Sequence, residues 1–282
     1  MTQSREVSRP VPADVRERMQ AYVRKGAAAV SGWLAPESAA AIAHLAEIQL
    51  AEGQSGGIGE IGIHHGKLFL LLYLSMLPTE RAFALDVFEH QQFNKDASGL
   101  GDRGIFLRNL ARVGGDPARV TIFAQDSGSV AAPDLLGAVG PMRMMSVDGG
   151  HTEAITYNDM ALAEAVLRPD GILILDDVYQ ERWPAVAAGA FRFVLEPGRQ
   201  LRPFAITPNK TYFCKDPATA ARYRAALLER FAPLRLGEET LFGSPVLILG
   251  RRSLINRVRN HPAVRDNPRL YRLLSRLIHR VA

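Results

Sequence analysis

Three carboxylates in this chain stand where acids do chemistry. Asp148 closes the apolar run Met142 to Val147, and Asp176 and Asp177 close a second run, Ile172 to Leu175. If the runs are neighbouring strands, about 4.8 Å apart in a sheet, their ends converge on one point. Crowded carboxylates raise one another's pKa unless a cation neutralises them. A hard divalent ion such as Mg²⁺ does so, binding a few carboxylates and keeping other positions for water or a substrate oxygen. A plainer reading has Asp177 capping the next helix and Asp176 facing solvent; the residues alone leave both open. His151 stands three residues beyond Asp148, and these two are the nearest candidates for a general base, with His64 and His65 in reach from a glycine turn.

That turn is Gly56 to Gly66, Gly-Gly-Ile-Gly-Glu-Ile-Gly-Ile-His-His-Gly, and it runs directly into Lys67, Leu68 and Phe69. An apolar run that breaks into glycines and becomes a helix brings backbone N–H groups up to a ligand. Gly57, Gly59 and Gly62 spell the dinucleotide fingerprint G-x-G-x-x-G, but that fingerprint must follow a strand, and Ala51 to Ser55 reads as a helix end and a polar turn. With Ile58 to Ile63 as the strand, the functional glycines become Gly62 and Gly66. Asp86 follows Gly66 by 20 residues, at the end of a short strand over Arg81 to Leu85. An acid there is placed to accept both ribose hydroxyls of an adenosyl ligand. Gln125, Asp126 and Ser127 close a further strand, Val120 to Ala124, at the sheet edge where ligands bind.

The elements that must position these residues alternate. Helical spacing runs over Ala13 to Leu34, Pro36 to Leu50, Lys67 to Leu77, Arg103 to Val113 and Thr152 to Leu167, the last closed by Pro169-Asp170-Gly171. Later helices are expected over Trp183 to Leu195 and Pro217 to Phe231, and strands over Arg202 to Ile206, Thr211 to Lys215 and Pro245 to Leu249. Strands alternating with helices predict an α/β fold with a doubly wound, mostly parallel, Rossmann-like sheet and helices on both faces. The polar stretch Glu89 to Asp102 is a loop long enough to be functional.

At 282 residues, 47% hydrophobic and 22% charged, the chain suits one large globular domain with appendages. The expected layout is a tail and covering helices over 1–55, the main domain over 56–250, and a basic amphipathic helix within 251–282. The net charge of +5 belongs to that last segment: it holds nine Arg against Asp266, a balance of +8, which leaves −3 for residues 1–250. The basic pI therefore argues nothing for a nucleic-acid groove, and no nucleic-acid partner is expected. Leu270, Leu273, Leu274, Leu277, Ile278 and Val281 share one face of a helix over Asn267 to Val281. That face suits packing on its own domain, a second copy in a homo-oligomer, or a membrane surface. The longest apolar run, Leu68 to Leu77, is too short to span a bilayer, which takes about 20 residues. The charged opening residues do not read as a secretory signal. One cysteine, Cys214, excludes an internal disulfide and a Cys-based zinc cluster, and suits a reducing, cytoplasmic compartment.

Glu60-x-Gly62-x-x-x-Gly66 resembles motif I of the class I S-adenosylmethionine-dependent methyltransferases. Asp148-Gly-Gly-His151, the helix after it, Pro169-Asp-Gly171 and Ile-Leu-Ile-Leu-Asp176-Asp177 resemble the methyltransferase family 24 group, itself similar to the metal-dependent sugar O-methyltransferases of macrolide biosynthesis. The likeness covers roughly residues 57–215. It implies S-adenosylmethionine contact at Glu60, Gly62, Asp86, Asp126 and Ser127. It also implies ligation of Mg²⁺ or a similar divalent cation by Asp148, Asp176 and Asp177, and O-methylation of a hydroxyl on a sugar or other small hydroxylated metabolite. The flanking segments lie outside the likeness, so the acceptor is not carried over. The Asn/Asp-Pro-Pro-Tyr/Phe tetrapeptide of amino methyltransferases is absent, which favours oxygen as the acceptor atom. Three rivals remain: an NAD-dependent enzyme, on the literal fingerprint at Gly57; a non-catalytic S-adenosylmethionine-binding module, against which three converging acids speak; and a nucleic-acid methyltransferase, on the Arg-rich tail.

Overall fold

The computed structural model describes residues 10–94 and 98–251, together with Asn267 and Leu270. Short apolar runs that are buried on both faces become the central strands, as a sheet covered on both sides requires. These are β1 (Gly57–Ile61), β2 (Ala82–Asp86), β3 (Val120–Ala124), β4 (Met142–Val147) and β5 (Leu167–Asp176), followed by β6 (Arg202–Thr207), β7 (Lys210–Cys214), β8 (Arg235–Leu241) and β9 (Ser244–Leu249). They form one nine-stranded sheet in the order β3-β2-β1-β4-β5-β7-β6-β9-β8. Strands β1 to β5 run parallel, and β7 inserts antiparallel between β5 and β6. The chain winds outward from β1 to β3, then returns to lay β4 on the other side of β1. The carboxyl ends of β1 and β4 thus flank the point where the winding reverses, where open α/β sheets bind ligands.

Period-two alternation sorts side chains to the two faces. Ile172 and Ile174 of β5 join the core under α1 (Ala13–Arg24), α2 (Pro36–Ala51), α3 (Lys67–Leu74), α4 (Arg103–Arg112) and α8 (Pro217–Phe231). Leu173 and Leu175 join the opposite core, under α5 (Ala132–Val139), α6 (Glu153–Val166) and α7 (Pro184–Leu195).

The sequence expectations need four corrections. The helix expected over Ala13 to Leu34 stops at Arg24: a Cβ at Gly26 would sit 2.6 Å from the Tyr22 ring, and Gly32 takes φ +132°. Lys67 to Leu77 is helical only to Leu74. Pro169-Asp170-Gly171 does not close a helix from outside but lies within β5, whose pairing with β4 shifts register between Met142 and Met144. Two elements went unforeseen, α5 and the edge strand β8, whose Glu238 and Glu239 blunt an exposed edge as charges do. Beyond Asn267 and Leu270, the amphipathic helix expected at the C-terminal end lies outside the described residues, as does most of Met1 to Pro12. No helix among the described residues is long and apolar enough to cross a membrane.

One polar knot crosses the first core. Arg143, in the middle of β4, is fully buried, with its Nε 2.9 Å from Glu80 Oε1 and its Nη2 donating to the Ser75 carbonyl and hydroxyl at 3.0 Å. The Gln49 side chain accepts from Nη1 at 3.2 Å. Glu80 also accepts from the amides of Gly56 and Leu77, so one carboxylate ties the entry to β1, the end of α3 and β4 together. Removing one partner of a buried pair leaves an uncompensated charge. Glu80→Ala is therefore expected to lower the unfolding free energy by about 3–5 kcal/mol, measured by urea denaturation; a loss under about 1 kcal/mol would mean the guanidinium finds water.

Candidate active site

A cleft of about 550 Å³ opens over the carboxyl ends of β1 to β5. Its floor is made where β1 meets β4. Gly62 has φ +82°, and a Cβ there would lie 1.7 Å from the Asp148 carbonyl oxygen, so only glycine lets the two strand ends close up. The Asp148 amide donates to the Ile61 carbonyl at 2.8 Å and seals the contact. Of the expected cofactor residues, Gly62, Asp86, Asp126 and Ser127 line this cleft.

Asp86 is held at the end of β2 by two amides, accepting from His64 at 2.7 Å on Oδ2 and from Phe88 at 2.7 Å on Oδ1. Burial pushes its pKa up and these amides pull it down, with a net rise. Gly101 lies directly above, where a Cβ would come within 2.6 Å of the carboxylate. Asp126 turns the chain after β3 by accepting from the Gly128 amide at 3.0 Å.

Glu60 and Gly66 do not line the cleft. Glu60 points from β1 to the other side, under the amino end of α3, with the Phe69 amide and the Ser146 hydroxyl as neighbours. Burial lifts its pKa to about 8 against the pull of Lys210, so the carboxyl is largely neutral near pH 7. Gly66 takes φ +89° at the start of α3 against the Phe106 ring. Both shape the glycine turn from behind. Gly57 and Gly59 sit inside β1, packed on Val139 and Phe83, so the literal dinucleotide fingerprint has no ligand-facing loop.

The acidic wall is Asp148, Asp176, Asp177 and His151. Ligand atoms of Asp148, His151 and Asp177 all lie within 4.8 Å of one another. Asp177 sits at φ +59°, a sparsely populated conformation for an aspartate that turns its carboxylate into the cleft. His151 Nε2 is 3.1 Å from Asp177 Oδ2, its Nδ1 is 3.1 Å from the Ser98 hydroxyl, and its ring stacks on Trp183 at 4.1 Å between centroids. Two carboxylates converging on one point suit a hard divalent cation, so the acidic donors fit one, with the His151 imidazole beside them.

Asp176, expected as a third ligand, is turned elsewhere. Its Oδ2 is ion-paired with the Lys210 ammonium and its Oδ1 accepts from the Asp177 amide at 3.0 Å. Lys210 is buried, and the same ammonium lies 3.8 Å from Asp148 Oδ2. Burial alone would lower its pKa; Asp176 and Asp148 outweigh that and hold it charged. Of His64 and His65, stacked at 3.8 Å, only His64 lines the cleft.

Sequence reasoning missed Lys210, Trp183, Ser98 and Asp159. A lysine opening the apolar strand Lys210–Cys214 was one available signal. Asp159 was another: it shares the buried stripe of α6 with Thr156, Met160, Ala163 and Val166. Its Oδ2 has no hydrogen-bond partner, and a Cβ at Gly149 would lie 2.7 Å from that oxygen.

A sheet of this order, with a glycine turn after β1 and an acid closing β2, is a doubly wound α/β sheet with its cleft at the point where the winding reverses. Residues 60–178, less than half of the chain, match the family model described as a methyltransferase domain. No curated protein matches it in sequence. Among solved structures, the O-methyltransferase NovP superposes with a TM-score of 0.51 at 11% identity, over 61% of this chain and 76% of NovP; at that identity the likeness is one of fold. The MycE methyltransferase of mycinamycin biosynthesis, in complex with Mg, SAH and mycinamycin VI, gives 0.48 at 16% identity over 73% of this chain and 56% of its own. A putative O-methyltransferase from Klebsiella pneumoniae gives 0.44 at 18% over 73% and 92%.

Burial pushes the Asp159 carboxyl up to about 7, with the Ser127 hydroxyl pulling the other way. The folded chain thus holds this proton more tightly than the unfolded chain, where it leaves near pH 4. Its contribution to stability is complete below about pH 4 and is lost as pH rises to about 7, on the order of 4 kcal/mol in all. Asp159→Asn should remove that loss, raising the melting temperature relative to wild type at pH 8 and much less at pH 5. Equal shifts at both pH values would place the ionisation of Asp159 in the ordinary range.

Proposed function

We propose that this enzyme methylates oxygen, transferring the methyl group of S-adenosylmethionine to a hydroxyl of a small polyhydroxylated acceptor, a sugar or glycoside, with help from a divalent cation. The observation that carries this reading is the meeting of Asp148, Asp177 and His151 in the cleft that Asp86 and Gly62 also line. On the same reading, residues 56–250 are the methyltransferase domain. The NAD alternative loses its footing because two of the three fingerprint glycines, Gly57 and Gly59, lie inside a strand.

When bound, S-adenosylmethionine supplies an electrophilic methyl group, and a divalent cation supplies a Lewis acid that lowers the pKa of the acceptor hydroxyl. The remaining work falls to this chain's residues. Asp86 would accept the ribose hydroxyls, and the Gly62 turn would let the cofactor lie against backbone. Asp126 and Ser127 would flank its adenine side, and Asp148 and Asp177 would hold the cation. With His151 Nε2–H donated to Asp177, the imidazole lone pair lies on Nδ1, beside the Ser98 hydroxyl; Nδ1 is then the atom that takes the acceptor's proton. Stacking on Trp183 fixes the ring plane. Holding nucleophile and methyl group at near-attack distance supplies much of the rate.

Asp86→Ala is expected to weaken S-adenosylhomocysteine binding by about 1.5–3 kcal/mol in calorimetric titration. Because Asp86 also pins the His64 and Phe88 amides, a melting curve must accompany the titration; unchanged affinity would move the ribose elsewhere.

Chelation with EDTA should abolish methyl transfer while S-adenosylhomocysteine still binds, and Mg²⁺ should restore turnover. Asp177→Asn should raise the metal requirement sharply. His151→Ala should slow transfer by about 10²–10⁴ with metal and cofactor affinity little changed, whereas a matching fall in metal affinity would make the imidazole a ligand. Full activity in EDTA, with Asp177→Asn near wild type, would refute the metal-assisted mechanism.

A further inference from the structure

The acidic wall already contains a cation of its own. Strand β7 pairs antiparallel with β5 so that Lys210 stands opposite Asp176, and the Asp177 amide donates to the Asn209 carbonyl at 3.2 Å, locking the start of β7 to the end of β5. Asn209 takes φ +63°, which lets the two-residue turn close and sends the next side chain inward. The ammonium then lies between Asp176, with which it is ion-paired, and Asp148 at 3.8 Å, with its side chain 2% exposed. A buried charge at this depth persists only when paired.

We propose that Lys210 is a positioning residue that serves as the fixed cation of the inner half of the centre: it removes Asp176 from the metal's reach and holds Asp148 in place for an outer site made with Asp177. The proposal rests on the reading of Asp148 and Asp177 as cation ligands. Two consequences separate this chain from a centre with three acidic ligands. First, the wall is assembled before any metal arrives, because the carboxylates facing each other across β4 and β5 are already partly neutralised. Second, a fixed positive charge within about 4 Å of Asp148 opposes a divalent cation on the same carboxylate. The outer site should therefore be weaker than its number of acids suggests, and removing the ammonium should strengthen it.

The test measures Mn²⁺ binding, by the loss of the free-ion electron paramagnetic resonance signal, to the full-length protein freed of metal with EDTA and held at pH 8. Lys210→Met keeps the length of the side chain and removes its charge; it is expected to bind Mn²⁺ about tenfold or more tightly than wild type. A purely structural lysine would give unchanged or weaker binding in that variant, and this result overturns the proposal. If Lys210→Met fails to bind S-adenosylhomocysteine and does not melt cooperatively, Asp176→Asn decides instead. Mn²⁺ affinity within about threefold of wild type in Asp176→Asn upholds the proposal. A tenfold or greater loss, equal to that of Asp177→Asn, would mean that Asp176 is a ligand and that Lys210 yields to the metal. S-adenosylhomocysteine titration of the wild type runs alongside, so that a failure of the methyltransferase reading is seen separately from a failure of the Lys210 assignment.

Discussion

Everything in the cleft depends on how closely β1 approaches β4 at the carboxyl edge of the sheet. The two strands lie side by side along their length and part only at Gly62 and Asp148, where a single methyl group at position 62 would collide with a backbone carbonyl. That contact fixes the glycine turn, and the turn fixes the His64 amide, which holds Asp86 on the neighbouring strand. It equally fixes the point where Asp148 leaves β4. The proposed cofactor residues and the proposed metal residues thus share one backbone reference, and neither half can shift without the other. Interiors packed at crystal-like density transmit such displacements rather than absorb them.

The second constraint is electrostatic. Glu60, Asp148, Asp176 and Asp177 come from three adjacent strands, and four ionised carboxylates in so small a space would repel strongly. The chain answers each in a different way. Burial raises Glu60 until it is largely neutral near pH 7. Lys210 pairs with Asp176 and draws on Asp148. The Asp177 pKa is lowered, because the His151 and Asn209 side chains outweigh the effect of its burial. What would remain for the proposed cation is the part of Asp148 and Asp177 that opens on the cleft.

Much of this was legible in the sequence, and the limits of that reading have physical causes. Strands β3 and β4 fall where the sequence predicted them, although β4 carries the buried Arg143 and Ser146 within its apolar run. Acids at the ends of such runs project from the carboxyl edge by topology alone, which is why Asp86, Asp148 and Asp177 were found and do line the cleft. Glu60 was misplaced because it stands one residue inside the end of β1, and one residue along a strand reverses the face. Asp176 lines the cleft as expected, but its carboxylate is taken up by Lys210, a partner from another strand. The pairing of Lys210 with Asp176, and that of Arg143 with Glu80, join residues 34 and 63 positions apart. Periodicity carries no information on contacts of that kind; only the register of assembled strands creates them.

The cleft is built from two kinds of material, and the difference bears on what each side can recognise. The floor and the acidic wall come from strand ends locked in the sheet: Ile61, Gly62, Asp86, Asp148, Asp176 and Asp177. The opposite rim comes from connecting segments, with Trp33 and Phe93 exposed beside it, Ser98 and Gly99 along it and Gly101 over Asp86. Strand ends in one sheet hold a fixed geometry, as a methyl donor and a cation would need if methyl and oxygen are to meet in line. Connecting segments tolerate change in length and side chain, so on the proposed function selection among acceptors would be concentrated there. Ser98 belongs to the rim yet touches His151 on the wall. Through that contact, the placement of an acceptor against the rim bears directly on the ring nitrogen assigned to take its proton.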